Sequence, residues 1–247
     1  MIDAHCHLDH VDFDSDRKEA VQRARDAGVK AVINAGNNPA DNRKVLALRE
    51  EFGPSFFKCV LSLSPHYAPG AGEGVLEGEL RFIEANRAKI VGIGETGLDY
   101  FHFAKERERE AQKKAFESFL QLAETLDLPV VIHSRDAEAA CLEILGRYKC
   151  RVMLHCFLKP AFLETAVARG YAVSLPTLKS KARVKIAKKA PLGRIFCETD
   201  SPFLWREGRN EPAHVRESYE AVAEARKTGF AAAEEQIDAG VASFFNL

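Results

Sequence analysis

Short apolar segments that alternate with longer amphipathic ones restrict the fold of this sequence more than any other feature. Buried β-strands are typically short apolar runs, whereas helices repeat their apolar residues every three or four positions. Eight runs have the character of buried strands, and they cover residues 2–8, 29–35, 57–63, 90–95, 129–133, 151–155, 171–175 and 194–200. Strands that alternate with helices in this way form a parallel sheet covered by helices.

The number of these units predicts the architecture. Eight units without a second core indicate one α/β domain over residues 1–247, folded as a closed (β/α)8 TIM barrel. An open doubly wound sheet is the alternative, but the first strand lacks the following Gly-x-Gly-x-x-Gly turn that binds phosphates in such sheets. Helices are expected at residues 17–28, 39–53, 76–83, 105–126, 161–169, 211–227 and 231–244.

The overall composition argues against several classes of protein. Hydrophobic residues make up 46% of the 247 residues and charged residues 29%, which is ordinary for a globular protein with a large core. The longest apolar runs are far shorter than a membrane span, and the N-terminus does not resemble a secretory signal. Six cysteines without Cys-x-x-Cys spacing suggest reduced thiols in a cytoplasmic protein. Because the net charge is −1, any nucleic-acid site has to be a local patch.

Side chains that bind metals stand at the ends of several predicted strands. His5 and His7 lie two residues apart, so they project to the same face of the first strand. Candidates at the ends of later strands are Glu95, His133, His155 and Asp200. The carboxyl ends of all strands meet on one face of a barrel, so these six side chains would converge there. Six ligands suffice for two divalent ions that share a carboxylate, although a single histidine at a strand end is more often an ordinary polar residue.

Five motifs resemble those of a known family. They are His5-Cys6-His7-Leu8-Asp9, Gly94-Glu95-Thr96-Gly97-Leu98-Asp99-Tyr100, His133-Ser134-Arg135, His155-Cys156-Phe157 and Glu198-Thr199-Asp200-Ser201-Pro202-Phe203. With these motifs the chain resembles the TatD-type metal-dependent deoxyribonucleases of the amidohydrolase superfamily, from residue 2 to the final helix. That family has a (β/α)8 barrel, which agrees with the fold predicted from the strand pattern.

The resemblance implies a centre of two divalent metal ions, with Mg²⁺, Mn²⁺ or Zn²⁺ as candidates. One ion would be surrounded by His5, His7, Glu95 and Asp200. The second would be bound by His133 and His155, with Glu95 bridging the two ions. Two such cations lower the pKa of a bound water and hold the attacking and leaving oxygens of a phosphodiester. Glu95 and Asp200 are the expected catalytic residues, with Asp200 as the base toward that water.

The resemblance also implies DNA as the substrate, degraded as by an exonuclease from single-stranded ends. Arg135 is placed to hold a phosphate oxygen bidentately. A surface arginine that caps a helix or pairs with Asp136 explains the same residue equally well. His66 and Lys159 are two further candidates for substrate contact. The sequence leaves the oligomeric state open.

Two positions depart from the family pattern. The family commonly carries a Gly-x-His-Pro-His type motif after the third strand, where this chain reads Ser62-Leu63-Ser64-Pro65-His66. Ser64 therefore replaces a histidine that is expected near the substrate. The small residues that usually follow the His-Cys-Phe motif are replaced here by Leu158 and Lys159. Both changes concern substrate contacts and leave the expected metal ligands intact.

Two further stretches are candidates for contact with a nucleic acid. The basic residues of 179–189 follow the seventh strand, near the loops that often bind phosphate in barrels. A solvent-exposed helix face is the simpler explanation of this stretch. Phe203 and Trp205 have rings that stack on bases in other proteins, but they are equally suited to packing their own loop.

Two other functions remain as alternatives. The first is an amidohydrolase-type deacylase or esterase, because the metal-bound water of that superfamily also attacks carbonyl carbon. Many binuclear amidohydrolases bridge their ions with a modified lysine, whereas strand four here offers Glu95. The second alternative is a non-catalytic, metal-containing component that binds nucleic acid, which Ser64 in place of a histidine would allow.

Overall fold

The barrel strands follow the predicted order closely. The computed structural model describes residues 1–206 and 208–247, and within these ranges eight strands pair in chain order, all of them parallel. They are β1 (Ile2–Cys6), β2 (Ala31–Gly36), β3 (Phe57–Leu61), β4 (Gly92–Asp99), β5 (Val130–Arg135), β6 (Val152–Leu154), β7 (Ala172–Leu175) and β8 (Ile195–Cys197). A helix separates each strand from the next, as a right-handed parallel barrel requires.

The helices form the outer layer around the strands. They are α1 (Arg17–Asp26), α2 (Pro39–Phe52), α3 (Val75–Ala85), α4 (Glu106–Leu126), α5 (Glu138–Leu145), α6 (Leu163–Ala168), α7 (Lys181–Lys189), α8 (Val215–Arg226) and α9 (Phe230–Phe245). In α4, Phe116, Phe119, Leu120 and Ala123 are buried at helical spacing, while the opposite face carries ion pairs such as Lys113 with Glu110. Among the described residues, no helix has both the length and the apolar character needed to cross a membrane.

The seam between β8 and β1 is joined by the side chain of Asp3 and by two backbone hydrogen bonds. The buried carboxylate of Asp3 accepts the backbone N–H of Thr199 at 2.9 Å and the Thr199 hydroxyl at 2.6 Å. Just beyond, the N–H of Asp200 donates to the carbonyl of His5 at 3.0 Å, and the N–H of His7 donates to the carbonyl of Ser201 at 2.8 Å. The (β/α)8 TIM barrel predicted from the sequence is therefore confirmed, and the open-sheet alternative is excluded.

The fourth strand is longer than the sequence pattern indicated. The predicted strand ended at Glu95, whereas β4 continues to Asp99 and pairs with β5 along its second half. A Cβ atom at Gly94 would lie 2.7 Å from the carbonyl oxygen of Val131, and one at Gly97 would lie 2.1 Å from that of His133. Both glycines also have positive φ values, so only glycine permits this close pairing. Glu95 consequently projects from the middle of a strand, and Asp99 takes the strand end.

Two helices differ from the sequence prediction. No helix was expected between the fifth and sixth strands, but α5 occupies this position with only eight residues. Its short length gives too few turns for a periodic pattern to stand out. The basic stretch after the seventh strand forms α7, where Ser180 caps the helix by accepting the N–H of Arg183 at 3.0 Å. Helical structure was the simpler explanation considered for this stretch.

Candidate metal centre

Two histidines, one in β1 and one directly after it, face the inside of the barrel mouth. The Nε2 atoms of His5 and His7 lie 3.2 Å apart, and both side chains are buried. Nδ1 of His7 lies 3.1 Å from the carbonyl oxygen of Ala35. Because a carbonyl can only accept, this hydrogen bond places a proton on Nδ1, and when the ring is neutral the lone pair is on Nε2, which faces the mouth. Cys6 points to the other side, with Sγ 3.8 Å from Oδ1 of Asn34.

Two carboxylates complete the group around these histidines. Oε2 of Glu95 lies 3.5 Å from Nε2 of His5 and 3.6 Å from Nε2 of His7. Oδ1 of Asp200, which follows β8, lies 3.6 Å and 3.5 Å from the same two nitrogens. A tetrahedral ion with ligand bonds of about 2.0–2.2 Å needs ligand atoms roughly 3.3–3.6 Å apart. The spacing of the two nitrogens to each other and to each oxygen is close to this range, and His5, His7 and Asp200 form one candidate metal-binding group.

The second oxygen of Glu95 faces a different pair of histidines. Oε1 lies 2.6 Å from Nδ1 of His133 and 3.0 Å from Nε2 of His155. These two nitrogens are 3.3 Å apart. The rings of His5 and His155 stack with their centroids 4.2 Å apart, so the two groups are contiguous. One carboxylate thus lies between two sets of imidazoles, which suits two cations that share it.

The electrostatic environment keeps both carboxylates ionised. Burial alone would raise the pKa of the Glu95 carboxyl, but the imidazoles of His155, His133 and His5 outweigh it and hold that pKa well below its usual range. Burial likewise acts to raise the pKa of Asp200, and the contact with His7 and the other imidazoles lowers it overall. For His7, the two carboxylates overcome the effect of burial and raise its pKa to about 9. Buried negative charge of this kind is stabilised by a cation.

Glu198, whose role the sequence analysis did not identify, supports the loop that carries His155. Its Oε1 accepts the backbone N–H of Cys156 at 2.7 Å, and its Oε2 accepts the hydroxyl of Ser174 at 2.5 Å. Nδ1 of His155 lies 3.8 Å from Oε1 of Glu198, too far for a direct hydrogen bond. The carboxylate therefore orients His155 through the backbone of the next residue. Glu198 lies inside a quoted motif, but only the strand pairing reveals its contacts.

Asp99 gathers three imidazoles on the outer side of His133. Its Oδ2 lies 2.7 Å from Nε2 of His66, 2.8 Å from Nδ1 of His102 and 3.2 Å from Nε2 of His133. Burial would raise the pKa of Asp99, but these imidazoles together lower it far below its usual range. His66, predicted to contact substrate, is thus held at the mouth beside Asp99. The sequence analysis assigned no role to Asp99 or His102.

A cavity of about 300 Å³ opens beside the two histidine groups. His133, His155 and Asp200 form its inner wall, and Arg135 and Lys159 line it as well. Much of the remaining wall is apolar and comes from Leu142, Leu154, Phe157, Leu158, Leu178 and Leu204. The two predicted substrate contacts of the β5 and β6 loops therefore line a cavity next to the candidate metal ligands.

The contacts of Arg135 and Lys159 bear on the two explanations that the sequence left open for Arg135. The guanidinium of Arg135 packs over the ring of Phe101, 4.1 Å from its centroid. The sequence allowed an ion pair between Arg135 and Asp136. In the structure Asp136 pairs instead with Nζ of Lys159, at 2.8 Å. Arg135 is exposed and retains its charge for an anion. Its role as a phosphate contact stays a prediction.

The aromatic residues after β8 have different surroundings. The ring of Trp205 stacks on that of His214 with centroids 4.2 Å apart, so it packs within its own loop. Phe203 is 47% exposed, and its ring lies 5.4 Å from that of His10 and 6.1 Å from that of His7. Phe203 is therefore the aromatic side chain of this pair that remains accessible at the mouth.

Comparison with known proteins identifies the family. The model of the family described as TatD related DNase matches residues 2–246. The chain belongs to this TatD family. The human deoxyribonuclease TATDN3 is 32% identical over 239 residues, which cover 92% of this chain and 87% of the human protein. YabD of Bacillus subtilis, named as an uncharacterized metal-dependent hydrolase, is 30% identical over 244 residues, covering 93% and 92% of the two chains.

A solved structure extends the agreement to three dimensions. The crystal structure of YjjV, a TatD homolog from Escherichia coli, superposes with a TM-score of 0.90 at 27% identity and covers 100% of this chain and 98% of its own. The resemblance stated from the motifs is therefore confirmed. The prediction of a metal-dependent hydrolase is confirmed with it, since that is the class to which the TatD family belongs.

The two departures from the TatD pattern lie at the mouth of the barrel. Ser64 is buried, and its backbone N–H donates to the carbonyl of Asn37 at 2.9 Å. It precedes His66 by two residues, on the loop that reaches Asp99. Leu158 and Lys159 both line the cavity beside the histidines. The chain thus differs from the TatD pattern in the residues around the cavity, while the six predicted ligands lie together.

Proposed function

We propose that this TatD-family protein is a phosphodiesterase that uses two divalent ions to degrade DNA from single-stranded ends. The observation that carries the proposal is the position of Glu95, whose two oxygens face two separate pairs of histidines. Two-metal phosphodiesterases use this arrangement to hold ions that share one carboxylate. The deoxyribonuclease name of the human relative supports DNA as the substrate.

The donor set fits two divalent ions of the Mg²⁺, Mn²⁺ or Zn²⁺ type. His5, His7, Asp200 and Oε2 of Glu95 would hold one ion, and His133, His155 and Oε1 of Glu95 would hold the other. When bound, such a pair lowers the pKa of a water molecule and neutralises the charge of a phosphodiester. Asp200 would contact the ion through Oδ1, and its second carboxylate oxygen could accept a proton as a general base. The contact of its Nε2 with Asp99 would orient His133 as a metal ligand.

The cavity supplies the remaining parts of a phosphodiesterase site. Arg135 is exposed at its edge, and a planar guanidinium can bind two oxygens of one phosphate. Lys159 adds a second positive charge, which Asp136 partly neutralises in the absence of substrate. The apolar side chains that line much of the cavity would lower the local dielectric constant and so strengthen charge interactions with a bound substrate.

Metal removal and end-labelled substrates test this proposal together. Single-stranded and duplex oligonucleotides labelled at the 5′ or 3′ end are incubated with metal-stripped protein, with and without added Mg²⁺ or Mn²⁺. We expect metal-dependent release of nucleotides that is faster on single strands and proceeds from one end. Full cleavage by the metal-stripped protein would refute the role of the ions.

The two alternative functions are tested with further substrates. A panel of p-nitrophenyl phosphodiesters and carboxylic esters is used beside the oligonucleotides. Hydrolysis of the carboxylic esters without the phosphodiesters would identify a deacylase or esterase. Metal-dependent binding of oligonucleotides without any cleavage would identify a non-catalytic component.

A further inference from the structure

A second cavity adjoins the one beside the histidines, between the loops that follow β7 and β8. Its volume is about 200 Å³, and Thr177, Lys179 and Trp205 contribute to its wall. Leu178 and Leu204 line both cavities, so the two cavities share this part of their walls. Both leucines are half-buried and present part of their surface to solvent. An extended ligand in the first cavity can therefore pass over these apolar side chains into the second.

Buried hydrogen bonds fix the two loops that form the second cavity. The side chain of Asn210 is buried, and its Nδ2 lies 3.0 Å from Oγ1 of Thr177, after β7. The same nitrogen lies 2.8 Å from the carbonyl oxygen of Phe203, after β8. The guanidinium of Arg183, which is also buried, donates to the carbonyl of Thr177 at 2.8 Å and to that of Pro176 at 3.1 Å. The cavity is therefore formed before any ligand binds.

Trp205 gives the second cavity an aromatic surface. Its ring stacks on that of His214, with centroids 4.2 Å apart and planes inclined by 14°. The residue is only half-buried and lines the cavity, so part of the ring outside this stack is accessible from the cavity. An aromatic ring held in this way is a platform on which a nucleobase can stack, and such stacking tolerates any base.

Positively charged side chains lie at both cavities. Arg135 and Lys159 line the first cavity, and Lys179 and the exposed Arg206 line the second. Glu217 lies 3.4 Å from Nζ of Lys179 and holds this lysine beside the second cavity. Proteins that bind single-stranded nucleic acids without sequence preference combine cations along the backbone with aromatic rings beneath the bases. The two adjoining cavities offer this combination.

We propose that the second cavity is a subsite for the second nucleotide of a single-stranded DNA end, whose terminal nucleotide occupies the first cavity beside the histidines. The strand runs from the candidate metal ligands over Leu178 and Leu204. Its second base stacks on Trp205, and the phosphate that follows lies near Lys179 and Arg206. This inference rests on the proposed function and adds to it the path of the strand across the barrel mouth.

The fluorescence of Trp205, the single tryptophan of the chain, reports on this subsite. Metal-loaded protein is titrated with thymidine monophosphate and with oligothymidylates of two to four nucleotides, whose phosphorothioate linkages resist hydrolysis. Binding is measured in parallel by isothermal titration calorimetry. We expect the oligothymidylates to quench the fluorescence and the monophosphate to leave it unchanged. The dissociation constant should fall at least ~5-fold from the monophosphate to the dinucleotide, because one more base is stacked.

An arginine variant tests the phosphate contact of the subsite. Arg206→Ala should weaken binding of the tetranucleotide and reduce the slope of its salt dependence by roughly one, as expected for one lost phosphate contact. Arg194→Ala is the matched control, since Arg194 is exposed and precedes β8 at the opposite end of the barrel. An equal loss in both variants would assign the effect to long-range charge and would refute the contact.

Two results of the titrations would overturn the subsite. Quenching by the monophosphate as strong as that by the dinucleotide would show that Trp205 responds to the first cavity alone. Unchanged fluorescence in protein that binds the oligothymidylates by calorimetry would show that the strand takes another path. Unmodified oligothymidylates are incubated with the same protein to measure cleavage separately. Cleavage that persists beside either result confines the failure to the subsite, whereas loss of both binding and cleavage refutes the proposed function as well.

Discussion

At the scale of single residues, Glu95 has the most distinctive position in the molecule. Its two oxygens lie 2.6–3.6 Å from four imidazole nitrogens that belong to three different strands or their ends. A carboxylate is able to bind one ion with each oxygen, whereas an imidazole offers a single lone pair. The residue projects from the middle of β4, where Gly94 and Gly97 bring β4 close to β5.

Replacement of this carboxylate tests the bridge. Glu95→Gln keeps the shape but removes the negative charge between the two cations proposed above, so we expect weaker metal binding and a loss of at least ~100-fold in hydrolysis. The thermal midpoint of the metal-free protein should remain close to that of the wild type. Bound metal and oligonucleotide turnover are measured together, with Glu106→Gln at the exposed start of α4 as the control. Retention of both metals with near-normal hydrolysis would show that the bridge is assigned wrongly.

Ser64 offers a second test at this scale. If the histidine that the family usually carries there assists catalysis, Ser64→His should raise turnover on oligonucleotides without changing the metal content. The position is buried, so the thermal midpoint is recorded as a check on the fold. Pro65→Ala serves as a control for disturbance of the same loop. An unchanged or lower turnover in a folded Ser64→His protein would indicate that the loop is adapted to another substrate.

The candidate ligands were predictable from sequence because they recur at strand ends, but their supporting residues were not. Asp99 pairs in register with Arg135, two positions beyond His133, and this register is fixed by tertiary contact between β4 and β5. Glu198 contacts Cys156 and Ser174 because the last three strands are neighbours in the sheet. Such contacts depend on which strands are neighbours and on their exact register, which periodicity alone does not give.

At the scale of elements, α7 presents its lysines to solvent beside the mouth. Lys181 and Lys185 are exposed, and Lys179 just before the helix pairs with Glu217 at 3.4 Å. If these residues contact phosphates, replacing all three by alanine should weaken binding of single-stranded DNA and reduce its dependence on salt, by a slope of roughly one per lost contact. The measurement is a titration at several salt concentrations.

The control for α7 is the double variant Lys113→Ala and Lys114→Ala on α4, which also removes positive charge from a helix. If the lysines of α7 are responsible for the salt dependence of DNA binding, this control variant should show a salt dependence close to that of the wild type. An unchanged slope in the α7 variant would favour the explanation of a solvent-exposed helix face.

A second element-scale feature is the ion pair that joins the loop after β8 to the start of α1. Arg209 donates to both oxygens of Asp16, at 2.6 and 2.7 Å. This contact lowers the pKa of Asp16 below its usual range. A carboxylate with a lowered pKa stabilises the fold above its unfolded-state pKa of about 4, and the contribution is lost as the pH falls further.

Asp16→Asn should therefore lower the thermal midpoint at pH 7, and the difference from wild type should shrink as the pH falls from 4 toward 2. Because the pair is near the surface, we expect at most ~1 kcal/mol at neutral pH. Differential scanning calorimetry at both pH values measures this change. Asp26→Asn, at the other end of α1, should show no comparable dependence. A difference that is independent of pH would show that the charge of Asp16 is not its source.

The elements themselves were largely predictable from the sequence. The strand positions follow from apolar runs, and the long amphipathic α4 follows from its spacing. The errors arose where local sequence and tertiary structure disagree. The predicted fourth strand ended at Glu95 although β4 continues to Asp99, and the short helix α5 was not predicted. In both places the structure depends on contacts with neighbouring elements, and intrinsic residue preferences do not predict such contacts.

At the scale of the whole molecule, the candidate ligands come from both ends of the barrel's strand order. His5 belongs to the first strand, His7 directly follows it, and Asp200 follows the last strand. An ion held by them would join the two edges that meet at the seam, next to the contact between Asp3 and Thr199. Binding there should therefore stabilise the closed barrel as a whole.

Thermal unfolding with and without metal measures this stabilisation. An ion present at about 100 times its dissociation constant adds about 2.7 kcal/mol to the stability, so chelation should lower the thermal midpoint by several degrees. The shift should be smaller in Glu95→Gln. A midpoint that is the same in chelator and in excess Mn²⁺ would contradict binding at the seam.

The position of this seam has a consequence for the biogenesis of the protein. A ribosome releases His5 and His7 first and adds Asp200 roughly 10–40 s later, at about 5–20 residues per second. During that interval the nascent chain offers two imidazoles without the carboxylate that completes the group. An ion that needs the carboxylate of Asp200 as well as these two imidazoles would therefore find its full set of ligands only after the last strand has been synthesised.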